Sequence, residues 1–534
     1  MKFNIKNIGL LALGVAMSVS FTACTGDLDV EPIDPNLETP NRVLNTPEAY
    51  NQLLAKAYSG LAVSGYDGSG TSDISGIDAG FGQYLRAYFN LTELPTDEAV
   101  MSWNDQTIRD LHGLQWGTSD VFVTAMFYRI TQQIQVCNEI IRKLNEATVL
   151  DEATKTQYIA EAKALRDLSY LHGIDLFGGM PFQTEANSMT ALPSYITRAD
   201  LYTWLENDLK SVAEALPANP EKYRAGKGFA YMMLAKLHLN AQVYAGKNAY
   251  ADCVSDCQNI INLGYQLESK ANWHNLFQAQ NDEFLGCKEN GMAHEIIFSV
   301  YQDQNYTQAY GGTTYIINAA CGTDNTWSSA NEMGLGGSGW AGITVTPEFV
   351  DLFPAGDQRA IWHTDGMSKE VTSIMTQFVT CGYGYKKFTN LRNDGTKDPN
   401  ATSFANTDFP VYRLADVYLM LAECEARGAN VNVNGHNGAW YFNQVRERAG
   451  DADIAAPTLQ DILDERGREL AWECHRRSDL VRFNNFTSGT VWAYKGMNND
   501  NGSAHNVDSH FNLFPIPASE ISNNASLKQN EGYN

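Results

Sequence analysis

Helical periodicity fills two stretches of this chain and is missing between them, and that interruption limits what the chain can fold into. Thr46-Pro47 opens the first stretch. Thr is a good N-cap and Pro suits the first helical position. Helical patterns follow over 119–144, from Asp151 through His172, and over 198–216, 228–244 and 249–263. Gly178-Gly179-Met180-Pro181 stops the pattern that Asp151 begins. Small residues, among them Ala162, Ala230, Ala235 and Ala241, suit close helix crossings. Then 270–408 turns rich in Gly, aromatics, Asn and Thr, with only brief strand-like runs such as 295–300. It is too long to be one connection within a compact domain, so it is functional or a subdomain. Helices return at 411–427, 438–449 and 459–483. The expected fold is mainly α: helix pairs in a degenerate tetratricopeptide-like array, without a clean repeat of about 34 residues. The array covers 46–269 and 411–483, a long irregular insert covers 270–410, and 484–534 is a C-terminal extension.

The start of the chain reads as a targeting segment, residues 1–23. Lys2 and Lys6 precede an apolar run, 8–19, too short to span a bilayer. Phe21-Thr22-Ala23-Cys24 places a small residue before Cys, the lipoprotein pattern, so Cys24 is the expected lipidated residue. An ordinary secretory signal with an incidental Cys is the other reading. Residues 24–45 are acidic and Pro-punctuated and read as a tether ahead of the main unit, 46–534. No later apolar run approaches about 18–20 residues.

Lys+Arg 38 against Asp+Glu 62, a formal net charge of -24, argues against a nucleic-acid partner. It fits an outer surface and a neutral ligand. Cysteines other than Cys24 are scattered, with Cys253 and Cys257 at i and i+4 and no C-x-x-C, so buried free thiols are expected. His172 and His475 read as structural histidines. Gly334-Leu335-Gly336-Gly337-Ser338-Gly339 matches G-x-G-x-x-G but lacks the strand before it and the helix after it. There is no G-x-S-x-G, P-loop or H-E-x-x-H, and no cofactor is expected. With so many carboxylates, a pair near a groove does not indicate a glycosidase.

The run ERGRELAWECHRRSDLVRF, 465–483, has an apolar stripe through Leu463, Leu470, Ala471 and Cys474 and a face crowded with charge. Such a run usually means a solvated helix. This one resembles the E-x-x-R-E-L-x-x-E-x-x-R-x-x-D-L-x-R-F signature of the SusD/RagB family. YRLADVYLMLAECEA at 412–426 and FPIPASEISNNASLKQNEGY at 514–533 match the same family in the same order. The resemblance implies an array of degenerate helix pairs. It also implies a surface glycan-binding lipoprotein of the outer membrane that partners a SusC-like TonB-dependent transporter.

Candidate ligand residues are aromatics beside glycine: Tyr310-Gly311-Gly312, Trp327, and Gly339-Trp340, with Trp103-Asn104-Asp105-Gln106 similar in kind. A ring with little side-chain cover can offer its face to the C–H face of a sugar. The FN-x-x-ELPTDE core inside 78–106 and YGGTTY at 310–315 look like those of starch-binding members of the family. That likeness implies an arc of Trp103, Tyr310 and Trp340, with Arg86, Asp78 and Asn104 or Gln106 as polar contacts to a neutral oligo- or polysaccharide. Tyr310 and Trp340 stand farther apart in sequence than in those members, so Trp327 is the alternative third ring. A peptide-capturing relative, a secreted glycoside hydrolase and a ligand-free helical scaffold remain open.

Overall fold

The computed structural model describes residues 43–188, 190–322, 332–373, 381–489, 494–496 and 506–533. The expected signal segment, Cys24, nearly all of the tether and Trp327 lie outside them.

Helix α1 (Pro47–Ala62) starts as its sequence suggests, with the Thr46 side chain accepting from the Ala49 N–H and proline in the first turn. Then come α2 (Tyr84–Thr92), α3 (Gln106–Gly113), α4 (Val121–Glu146), α5 (Glu152–Leu176), α6 (Arg198–Ala215), α7 (Lys227–Leu239) and α8 (Tyr250–Asn262). Asp151 caps α5 and Thr197 caps α6. Each helix from α4 to α8 packs on the next; Ala162, Ala230 and Ala235 on these helices are buried, as is Ala241 just past α7. The expected helix over 228–244 ends at Leu239. The Asn240 side chain donates to the Lys236 carbonyl, and a separate short turn, Ala241–Ala245, follows.

Within the interruption lies α9 (Gly312–Ala319); after it come α10 (Leu414–Ala426), α11 (Gly438–Ala449), α12 (Leu459–Leu470) and α13 (Arg476–Arg482). Helix α8 packs on α10, so the array closes over the gap in sequence. Four short strands fasten the insert: β1 (Val100–Met101), β2 (Ile296–Val300), β3 (Ile343–Thr344) and β4 (Phe409–Arg413). β1 pairs antiparallel with β3, and β2 with β4, the latter with irregular register.

The expectation of one helix over 459–483 is corrected. The chain breaks between α12 and α13, where Trp472 and Cys474 take left-handed backbone, φ 60° and 67°. Partners explain the break. Lys387 Nζ donates to the carbonyls of Glu469 and Ala471, at 3.0 and 2.7 Å, and the Trp472 N–H donates to the Glu98 carboxylate. The Trp472 ring packs edge-on against Phe89 and Tyr385.

The charged face of this signature is buried. Glu465 accepts from Arg359 (2.6 Å), Arg446 (2.9 Å) and Arg468 (2.6 Å). Glu469 takes Arg359, Arg413 and Arg448. Glu473 takes Arg413 and Lys387, each at 2.6 Å. Burial works to raise the Glu469 pKa, but Arg448, Arg413 and Arg359 together hold the carboxyl well below its ordinary range. The expected structural histidines are also found: His172 meets the Tyr84 hydroxyl at 2.9 Å, and His475 meets Lys236. The cysteines among the described residues are free thiols, most of them buried. No described helix is long and apolar enough to cross a membrane.

Removing the Glu469 carboxylate takes one charged partner from each of Arg359, Arg413 and Arg448 and leaves the buried cluster one negative charge short. Glu469→Gln is therefore expected to cost about 3–5 kcal/mol in chemical denaturation. Glu146→Gln, which breaks the exposed pair with Lys143, is expected to cost about 0.5 kcal/mol or less. Equal losses would show that the ladder contributes no more than a surface pair.

Candidate functional site

Gln83 sets the site's frame. Its amide donates to the Leu61 carbonyl at the end of α1 (2.7 Å). Its carbonyl oxygen accepts from the Arg86 N–H in α2 (2.9 Å) and from the Gly312 N–H at the start of α9 (3.1 Å). The glycines of YGGTTY make this approach possible. A Cβ on Gly311 would sit 2.1 Å from the Gln83 oxygen, and Gly312 has φ +56°. Tyr310 is thereby placed against α2, and Arg86 Nη1 donates to its carbonyl at 3.0 Å.

Helix α9 positions two rings from its two ends. Tyr310 precedes its first turn. At its other end, the N–H groups of Trp340, Ala341 and Gly342 donate to the carbonyls of Asn318, Cys321 and Ala319, at 2.7, 3.0 and 2.8 Å. These bonds satisfy the last carbonyls of the helix and fix Trp340. The Tyr310 and Trp340 ring centres are 6.1 Å apart, tilted by 58°. Trp340 thus lies beside Tyr310 despite the longer spacing in sequence, while Trp327, the alternative third ring, lies outside the described residues.

Trp103 arrives from the β1–β3 pairing, with its indole N–H donating to the Trp340 carbonyl at 3.2 Å. Glycine here permits close packing, not an open ring. A Cβ on Gly342 would lie 2.8 Å from the Trp103 ring, and one on Gly339 would lie 2.2 Å from the Cys321 carbonyl. Trp103 and Trp340 both pack partly on the core. Tyr310, 38% exposed, is the ring that faces outward.

Arg86 joins these parts. Its guanidinium lies over the Tyr315 ring at 4.3 Å and 5.8 Å from the Trp103 ring. Its Nε is buried without a hydrogen-bond partner among the described residues. Asp78 is exposed close by and accepts from the Gly80 and Phe81 N–H groups at 2.7 and 3.2 Å. Burial lowers the Arg86 pKa, while Tyr315 and then Asp78 act to raise it. Asn104 and Gln106 are exposed at the start of α3, and Arg109 donates to both side chains. The structure thus gathers Trp103, Tyr310, Trp340, Arg86 and Asp78, and sets Asn104 and Gln106 at the α3 edge beside Trp103.

Sequence reasoning missed Gln83, Arg109 and Phe404, whose ring centre is 5.6 Å from that of Tyr310. The YGG glycines carried a signal for Gln83, since two adjacent glycines imply a close neighbour. Phe404 carried none.

Behind the site, the Glu93 and Glu98 carboxyls of ELPTDE are buried together. Burial and then the Glu98 charge hold Glu93 protonated well above its ordinary range, and burial lifts Glu98 to about 7. Between the ordinary carboxyl value and about 7, the folded protein keeps protons that the unfolded chain has released. This pair therefore lowers stability as pH rises through that window. Melting temperature is expected to fall from pH 5 to pH 8 in the native protein, and to fall less in Glu93→Gln, whose amide copies the protonated acid. An unchanged slope in the variant would contradict this.

The profile of the SusD family matches residues 367–533. The starch-binding protein SusD of Bacteroides thetaiotaomicron is 32% identical to this chain, over 99% of each. SusD-like protein P25 of Formosa agariphila is 26% identical, over 71% of this chain and 72% of its own. Among solved structures, surface glycan-binding protein A from Bacteroides thetaiotaomicron, in complex with laminarihexaose, superposes with a TM-score of 0.68 at 20% identity. That match covers 91% of this chain and 99% of the other. A SusD superfamily protein from Parabacteroides distasonis gives 0.68 at 22% identity, with the same coverage.

Proposed function

The chain belongs to the SusD family, and on that premise we propose that it captures neutral glycan at a cell surface by binding, without turnover. The observation that carries this reading is the Tyr310–Trp340 ring pair, 6.1 Å apart, with Arg86 held beneath it. The rings offer apolar faces to sugar C–H groups. Arg86, Asp78, Asn104 and Gln106 offer donors and acceptors to hydroxyls. A starch-like glucan is the first candidate, because the relative that is 32% identical is named for starch.

Such a site is weak alone. A ring covering about 40–50 Å² of sugar contributes roughly 1 kcal/mol. Three rings and a few hydrogen bonds then give about 4–6 kcal/mol, a Kd between about millimolar and tens of micromolar. This suits a protein that closes over its ligand against a partner, proposed to be a SusC-like TonB-dependent transporter. Anchoring through lipidated Cys24 would keep it at the outer membrane. Cys24→Ala should release the protein into the soluble fraction; unchanged membrane retention would refute the anchor.

Tyr310→Ala and Trp340→Ala are each expected to weaken maltohexaose binding by about tenfold or more, roughly 1.4 kcal/mol, in isothermal titration. Tyr310→Ala should keep the native melting temperature. Trp103→Ala should lower both affinity and melting temperature, because its ring also packs on Tyr315. Native affinity in both the Tyr310 and Trp340 variants, across maltohexaose, laminarihexaose and inulin fragments, would place the ligand elsewhere.

A further inference from the structure

A second aromatic cleft lies along the segment that leads from β2 to α9. Tyr223 and Tyr301 face each other there with ring centres 4.8 Å apart. The pair separates two hollows. One, of about 350 Å³, is mainly apolar and includes Tyr58, Phe298 and Ser299 in its lining. The other, of about 480 Å³, is polar and includes Gln302, Gln304 and Asn406. Both fall in the size range of small-molecule sites.

Three observations say what would fit. Tyr223 is held at φ 65°, a left-handed conformation that costs free energy in a non-glycine residue and tends to mark functional positions. Ser299 Oγ, in a residue 3% exposed on the wall of the apolar hollow, has no hydrogen-bond partner among the described residues. The described cations of the rim are already paired: Lys222 with Asp282, Arg224 with Glu161, and Arg392 with Asp398. Asp303 turns its carboxylate onto the N–H groups of Asn305 and Tyr306. The cleft thus offers ring faces, amides and a hydroxyl, with its cations paired to carboxylates and Asp303 bonded to backbone N–H groups. That chemistry selects a neutral polyhydroxylated ligand over an ionic one.

The cleft is also joined to the first site. Tyr301, Tyr306 and Tyr310 stand along one short run of chain, at most about 30 Å from end to end. Tyr306, between the others, is 82% exposed. The run is pinned: the Gln302 N–H donates to Asp408, the Asp303 N–H to Thr307 and the Gln304 N–H to Asn406, at 2.7, 2.6 and 2.9 Å. The rings are presented on fixed backbone.

We infer that the Tyr223–Tyr301 cleft is a second carbohydrate subsite, taking a further stretch of the same neutral polysaccharide chain that meets Tyr310 and Trp340, with Tyr306 between them. This rests on the glycan reading of the first site. Two linked contacts bind a polymer more tightly than either binds alone, and a short oligosaccharide gains nothing from the second.

The test compares affinity electrophoresis in gels containing amylopectin or laminarin with titration of maltohexaose and laminarihexaose. Tyr301 stands outside the main core, so Tyr301→Ala should fold. It is expected to weaken polymer binding by about fivefold or more while leaving hexasaccharide affinity within about twofold. Tyr306→Ala, too exposed to affect folding, should move polymer binding in the same direction. Unchanged polymer binding in folded Tyr301→Ala would overturn the inference. So would equal losses for polymer and hexasaccharide, or no retention of either polymer by the native protein. If Tyr310→Ala instead leaves hexasaccharide binding intact while Tyr301→Ala still weakens polymer binding, the first-site reading fails and the second subsite stands alone.

Discussion

Three carboxylates spaced four residues apart, Glu465, Glu469 and Glu473, face inward from the signature segment, and the rest of the structure is arranged around their neutralisation. Their cations come from far apart in the chain: Arg359 and Lys387 from the insert, Arg413 from the end of β4, Arg446 and Arg448 from α11. Buried ion pairs are weak evidence for net stability, because desolvation offsets most of their attraction. Their effect is on uniqueness. An insert shifted by one residue would leave Arg359 or Lys387 buried without a carboxylate, at a cost of several kcal/mol. The ladder thereby fixes how the irregular insert lies against the helical array.

The same segment reaches the ring cluster. Where α12 ends, the Trp472 N–H is held by Glu98, and Arg476 grips Asp97 with two bonds of 2.7 and 2.6 Å. Both acids belong to the ELPTDE loop that follows α2. Helix α2 packs against both α13 and α9. The position of Arg86 is therefore set from both halves of the chain. A rigid ring cluster loses little freedom on binding, which matters when the direct contacts are worth only a few kcal/mol.

Much of the fold was legible in the sequence. Caps at Thr46 and Asp151 and the alanines on the packed helices were read correctly because they are local signals. The break at Trp472 was not legible. Periodicity runs through it, and its cause, Lys387 capping the end of α12, lies far away in sequence. The contacts among Tyr310, Trp340 and Arg86 depend on α9, a helix hidden inside a Gly-rich stretch, so their residues could be named but their geometry could not. Glycine misled at Trp340. It was read as exposing the ring, and the glycines beside it instead let backbone and the Trp103 indole approach closely.

On the proposed reading, α9 holds a sugar-binding surface at its two ends. Hydrogen–deuterium exchange with and without saturating maltohexaose or laminarihexaose tests it directly. Protection is expected at 309–315 and 339–342 together, with 102–106 following and α11 unchanged. Protection confined to other segments, or none with either sugar under conditions where binding is detected, would contradict it.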